Sequence, residues 1–326
     1  MRVVVVYIVL ALLSFSCKEK EKEKEKEEWN EEAFYEQVMQ LIEERSIKRN
    51  EIDWVSLKQT VKDSIKQFST NEDVYNAIGY ALELVDDGHS HFFAPENPDS
   101  VVTNRFLMDT LTVPAIDAKI IGEDIGYIKL PGFFANDSLS SVYALKVRKA
   151  LLKLDASGKF KGWVIDLRKN LGGKMSSESL GLSPLFNRSL IGISCDNQER
   201  FTKVCCSDGD FYFGDFKMDS LIYKSTLQNK NKKIAVLISN HTASASEFLA
   251  LAFKFQEGTK TFGSKTRGAT STLNLLEFKS NAKLLLAQEY YCDKDYLKIT
   301  SGILPDVACD TAESLPKAIE WIRYDR

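Results

Sequence analysis

Four short stretches carry residue types that could do chemistry: Asp87-Gly88-His89-Ser90-His91-Phe92, Val164 to Gly173, Ser239 to Glu247, and Gly302-Ile303-Leu304-Pro305-Asp306. In the third, Ser244 stands where the apolar run Ile234–Ile238 gives way to helical spacing from Ala245 to Phe255. A hydroxyl at a strand-to-helix junction lies at the positive end of the helix, where a developing oxyanion is favoured. The second stretch is an apolar strand that runs into Gly172-Gly173. Glycines let a backbone come close to a substrate and aim N–H groups at it. A serine, a histidine distant in sequence and a glycine-rich donor loop are the parts of acyl transfer. Each part has a plainer reading on its own. A serine at a helix start is usually an N-cap, and a glycine pair after a strand is usually a turn.

The chain has 3 histidines, His89, His91 and His241. His89 and His91 have the spacing of a zinc pair, but no third ligand is evident. His241 reads as a surface or substrate-side residue, and Thr242 and Ser246 as capping hydroxyls. Asp166 and Arg168 read as holding a strand end and its loop, Asp306 as structural, and Trp163 as core.

In this order, the four stretches resemble the tail-specific (C-terminal processing) protease and tricorn core protease family of serine peptidases. The second stretch follows that family's D-L-R-x-N-x-G-G and the third its T-A-S-A-S-E. The resemblance implies Ser244 as nucleophile, the N–H groups of Gly172 and Ala245 as the oxyanion hole, and His89 as general base, as in the tricorn-like branch. It implies no metal and no organic cofactor. The tail-specific branch uses a lysine 25 residues after the serine, and that position here is Ala269, with Lys265 nearby but aligned elsewhere. The acid expected just before the fourth stretch is also missing. Ile299 stands about there, with Glu289 or Asp295 as substitutes. Only 33 residues separate Phe92 from Gly126, too few for the PDZ domain of the tail-specific branch. Recognition of a substrate tail by strand addition to a PDZ groove is therefore not expected. The expected reaction is peptide-bond hydrolysis through an acyl-enzyme. The rival from another class is a catalytically inactive peptide- or small-ligand-binding protein on the same fold.

These residues need elements to position them. Helical spacing runs through Phe34, Val38, Leu41 and Ile42 after Asn30, and through Trp54, Leu57, Val61, Ile65 and Phe68 after Asp53. A third helix follows Thr70, with Asp73 as the second half of a capping box, and stops at Asp86-Asp87-Gly88. Beyond Pro98 the pattern alternates. Strands are expected at Ile125–Leu130, Trp163–Ile165, Ile234–Ile238, Leu273–Phe278 and Leu284–Tyr291. Helices are expected at Leu139–Leu154, Ala245–Phe255 and Ala312–Ile322, with helix or loop after Gly173. Alternation of this kind predicts an α/β core with right-handed crossovers. The resemblance makes that core a ClpP/crotonase-like spiral. The expected division is a helical N-terminal domain, 29–92, beside a peptidase core domain, 93–326.

The chain of 326 residues is 44% hydrophobic and 11% aromatic, with 17 Gly and 7 Pro, which excludes a wholly disordered or collagen-like polypeptide. Lys plus Arg number 43 against 46 Asp plus Glu, so no basic footprint for nucleic acid exists. Arg2, the apolar run Val3–Leu13 and Ser14-Phe15-Ser16-Cys17 read as an export signal too short to span a bilayer. It resembles a bacterial lipoprotein signal, 1–17, with Cys17 as the lipidated residue. Residues 18–28, KEKEKEKEKEE, bury nothing and read as a solvated tether. The expected place is the cell envelope, membrane-anchored and facing the periplasm or exterior, with a peptide or protein as substrate. The five later cysteines suggest no disulfide by their spacing.

Overall fold

A computed structural model describes residues 30–65, 68–95, 112–135, 137–207, 209–223, 227–230 and 232–324. The expected signal with Cys17 and the charged tether lie outside the described residues. Three helices come first: α1 (Glu31–Arg45), α2 (Trp54–Ser64) and α3 (Asn71–Val85). Their starts follow from their caps. Asn30 accepts the Ala33 N–H at 2.8 Å, Asp53 accepts that of Ser56 at 3.1 Å, and Thr70 and Asp73 form a reciprocal capping box. α2 ends at Ser64, so Ile65 and Phe68 lie past it, yet both still pack on the apolar cluster of the three helices.

The remaining elements form two sheets. One has the order β13-β10-β9-β4-β3-β2, with β2 (Asp117–Ile121), β3 (Ile125–Lys129), β4 (Gly162–Asp166), β9 (Lys233–Ile238), β10 (Thr259–Gly263) and β13 (Val307–Ala308). Its strands are parallel except β2, which pairs antiparallel with β3. β4 is buried along its whole length, as a strand covered on both faces should be. Helix α4 (Asp137–Ser157) joins β3 to β4, α6 (Ala245–Lys254) joins β9 to β10, and α7 (Thr311–Tyr324) closes the chain. The predicted α/β core is thus present.

The second sheet is antiparallel, ordered β1-β12-β5-β6-β7-β8, with β11 also paired to β12 off that path. Here β1 is His91–Phe93, β5 Leu190–Asp196, β6 Phe201–Ser207, β7 Asp210–Phe213, β8 Phe216–Ser220, β11 Ser271–Glu277 and β12 Lys283–Cys292. The meander β5–β8 occupies a stretch whose sequence reads as helix or loop. Its outer strands lack a clean apolar face: β8 exposes Phe216 and Met218 along with Lys217. A short helix, α5 (Met175–Leu182), follows Gly173. The N-terminal helices bury their faces on the β11–β12 hairpin, with Phe34, Val38 and Ile78 in one cluster with Ala282, Leu284 and Leu286.

Gly126 of β3 lies in register with Trp163 of β4, and a Cβ there would come within 2.4 Å of the indole ring. Gly126→Ala should therefore lower stability by about 1–3 kcal/mol through overpacking. Urea unfolding would measure it, and an unchanged midpoint would remove the packing argument.

Candidate active site

Two neighbouring parallel strands, β4 and β9, end side by side, and the loops that leave them are stitched together. Thr242 Oγ1 donates to the Leu167 carbonyl at 2.9 Å and accepts the Ser239 N–H at 3.0 Å. Ser239 Oγ donates to the Arg168 carbonyl at 2.6 Å, and Ser246 Oγ to that of Asn170 at 2.7 Å. The hydroxyls read as helix caps thus bond across to the β4 loop as well as within their own turn. Asp166 holds its own strand end, accepting from Arg168 Nε at 2.9 Å and Tyr127 Oη at 2.7 Å.

Ser244 begins α6 with φ 56° and ψ −124°. An L-residue held there costs about 1–3 kcal/mol and persists only under restraint. Glu247 supplies one restraint: its Oε2 accepts the Ser244 N–H at 2.9 Å, while Oε1 accepts the Gly268 N–H at 2.8 Å and the Thr266 hydroxyl. Burial pushes the Glu247 carboxyl up, opposed by these donors. Gly172, at φ 104°, supplies room: a Cβ there would lie 2.8 Å from Ser244 Cβ and 2.9 Å from the Ala243 carbonyl oxygen.

His89 reaches this serine from the other sheet. α3 ends on Asp86 in a left-handed conformation, and Gly88 follows at φ 68°. The Asp87 carboxylate accepts the N–H groups of His89 at 2.9 Å and Ser90 at 2.7 Å, and the Ser90 hydroxyl. Ser90 Oγ in turn accepts the Ala287 N–H of β12 at 2.9 Å. The buried imidazole then spans two hydroxyls, with Nε2 3.0 Å from Ser244 Oγ and Nδ1 2.8 Å from Ser271 Oγ. Proton donation from Nδ1 to Ser271 leaves Nε2 as an acceptor for the Ser244 hydroxyl. Burial, foremost, lowers the His89 pKa to about 4; His91 and Arg267 add to the shift and Asp87 opposes it.

Ser271 is the partner that the sequence did not disclose, because a lone serine at a strand start has no motif around it. None of the expected acids meets His89 in the described structure. Ile299 packs against the main core and its carbonyl accepts the Thr270 hydroxyl at 2.5 Å. Glu289 bonds to Ser194 Oγ, and Asp295 lies exposed in a turn capped by Asp293. Ala269 is buried, and Lys265 Nζ donates to Ser301 Oγ at 3.2 Å. His241 is exposed, and His91 is half-buried with its ring 6.3 Å from that of Phe93. Asp306 braces β10, accepting the Thr261 N–H at 2.8 Å and pairing with Lys254.

The two expected oxyanion donors differ. Among the described residues the Ala245 N–H, at the first position of α6, meets no acceptor. The Gly172 N–H is taken: it donates to Asn170 Oδ1 at 2.8 Å in a local turn. To serve an oxyanion its proton must be shared with Asn170 or released by it. The arrangement as a whole can deprotonate a serine hydroxyl and offer a helix-start amide to the resulting oxyanion.

The model of peptidase family S41 matches residues 124–309. A nisin-resistance protein of Lactococcus lactis subsp. lactis is 28% identical over 278 residues, covering 83% of this chain and 80% of its own. A carboxy-terminal-processing protease of Bartonella bacilliformis is 26% identical over 213 residues, covering 65% of this chain but only 44% of its own length. Among solved structures, a lipoprotein from Streptococcus agalactiae superposes with a TM-score of 0.74 at 22% identity, over 90% of this chain and 96% of that one. The photosystem II D1 C-terminal processing protease superposes at 0.60 and 15% identity, over 91% and 98%. These two likenesses are of fold.

The His89 shift fixes a pH dependence. An unfolded imidazole titrates near 6.5 and the folded one near 4, so the unfolded chain takes up the proton first as pH falls. Stability should therefore drop between pH 6.5 and about 4, and His89→Gln should reduce that drop. Denaturant titrations of both proteins at pH 7 and pH 5 would test this. An equal loss in the two proteins would refute it.

Proposed function

The chain belongs to peptidase family S41, and from that premise we propose that it hydrolyses peptide bonds through an acyl-enzyme on Ser244 with His89 as general base. The contact between Ser244 Oγ and His89 Nε2, 3.0 Å, carries this reading. As Oγ attacks a peptide carbonyl, Nε2 takes its proton. The tetrahedral oxyanion meets the Ala245 N–H at the start of α6. Collapse releases the amine, which leaves with the proton held on His89, and water clears the acyl group by the same route. Ser271 keeps the imidazole in the tautomer this needs. Similarity to carboxy-terminal-processing proteases makes a peptide or protein the substrate class.

A second reading has its own observation. A neutral hydroxyl, not a carboxylate, faces Nδ1, so the imidazolium formed during reaction lacks a charged partner there. That favours a slow enzyme, and at the limit a peptide-binding protein without turnover.

We further propose residues 1–17 as a lipoprotein signal, Cys17 as the lipidated residue, 18–28 as tether, 29–92 as the helical domain that brings His89 and 93–326 as the peptidase core. The place is the cell envelope, anchored by lipid and facing the periplasm or exterior. The short apolar run, the cysteine after small residues and the charged stretch behind it support this reading.

A fluorophosphonate should label Ser244, with no adduct there in Ser244→Ala and at least a hundredfold slower labelling in His89→Ala, the scale of general-base catalysis. Ser271→Ala should slow labelling about tenfold, the worth of one neutral hydrogen bond. A folded wild-type protein that resists the probe with peptide present would favour the binding reading. Radiolabelled palmitate should enter the cellular protein and be lost in Cys17→Ala; equal incorporation would refute the anchor.

A further inference from the structure

Glu178 of α5 is 1% exposed and its acid group has an incomplete set of partners. Oε1 accepts Asn170 Nδ2 at 2.9 Å. Oε2 is buried and meets no hydrogen-bond partner among the described residues. A buried carboxyl with an orphaned oxygen breaks the rule that buried polar groups are satisfied, and such breaks concentrate at functional sites. What Glu178 touches gives the break a meaning. Asn170, itself fully buried, is the junction of the site's two loops. Its carbonyl accepts the Ala243 N–H at 3.1 Å and Ser246 Oγ, both within the turn around Ser244. Its side-chain oxygen accepts the Gly172 N–H. Because that oxygen must face an N–H donor, Nδ2 must face an acceptor, and Glu178 is that acceptor.

We propose that Glu178 and Asn170 are a positioning pair: Glu178, acting through the Asn170 amide, fixes the Gly172-Gly173 turn against the turn that carries Ser244. The inference rests on the reading of Ser244 as nucleophile. Without an acceptor for Nδ2, the Asn170 side chain loses its unique orientation, and the Gly172 amide loses the oxygen that aims it. Gly172 has little room for error, since its Cα side already abuts Ser244 Cβ.

The pair works with Glu178 as the neutral acid. Burial pushes its pKa up to about 7, opposed by the Asn170 hydrogen bond. Tyr143 of α4 and Tyr291 of β12 lie close enough to be raised in part by its charge, Glu247 of α6 also acts on Tyr291, and the cation that α4 packs on α5, Arg148, is bonded to the Leu180 and Gly181 carbonyls near the end of that helix. Desolvation and the Asn170 bond are what act on Glu178, and no cation among the described residues offsets its charge. Above pH 7 the charged carboxylate must draw in water or shift, and the turn loosens with it.

The test is the rate at which a fluorophosphonate labels Ser244 between pH 5.5 and 9, in the full chain and its Glu178→Gln and Glu178→Leu variants. The expected wild-type rate declines above about pH 7, a limb that would report Glu178 ionisation. Glu178→Gln keeps an acceptor for Asn170 and cannot ionise, so it retains most of the rate and loses the decline. Glu178→Leu labels at least tenfold more slowly at every pH. A leucine variant as fast as wild type, or a glutamine variant with the same alkaline decline, overturns the proposal. Should wild-type Ser244 not label at all, the nucleophile reading fails, and hydrogen exchange over residues 168–174 decides the pair by itself. Faster exchange in the leucine variant but not the glutamine variant supports it; unchanged exchange in both overturns it.

Discussion

Ser244 is held in a backbone conformation that an L-residue leaves when free to do so, and the surrounding structure supplies what holds it there. Its N–H is fixed by the Glu247 carboxylate. The turn before it is fixed to the β4 loop by Thr242, Ser246 and the Asn170 carbonyl. Parallel β4 and β9 bring the two loops to the same edge, and burial of both strands makes that edge rigid. A serine in an ordinary helix cap would point its hydroxyl at the helix amides. Here Oγ also reaches the imidazole at 3.0 Å, and among the described residues the Ala245 N–H meets no acceptor.

The histidine arrives by a different route. No element of the parallel sheet carries it. It follows α3 and precedes β1, and its ring is aimed by Asp87 and Ser90 through β12. Burial favours its neutral form, in which a ring nitrogen can accept a proton, while its neutral neighbour Ser271 offers little to stabilise it once charged. Readiness to accept a proton and reluctance to keep one are thus set by the same desolvation.

Much of this was legible in the sequence, for reasons that can be named. The helix caps Asn30, Asp53 and Thr70 act locally, so their side chains announce where helices start. The buried runs of β4 and β9 are unbroken because both faces are covered. Ser244 and His89 stood out through the family resemblance of their motifs, and the turn before His89 shows why its residues recur together: Gly88 takes a positive φ, and Asp87 accepts two N–H groups. The meander β5–β8 was hidden because its exposed strands break alternation. Ser271 and the Asn170–Gly172 bond were hidden because each is a relation between loops. Ile299 stood near the position where an acid was sought, yet what it gives the site is a backbone carbonyl, which any residue provides.

Strand β12 pairs with β1, β11 and β5, and its hairpin with β11 is the surface on which the N-terminal helices pack. Both flanks of His89 therefore rest on a segment that is translated some two hundred residues later. A growing chain holds His89 early and Ser244 well before its end, but it has no sheet on which to bring them together until residues 271–292 have emerged. The contact between Ser244 and His89 closes on strands that follow both residues in the chain, β11 and β12, and a chain cut short before them lacks the surface that holds the two together.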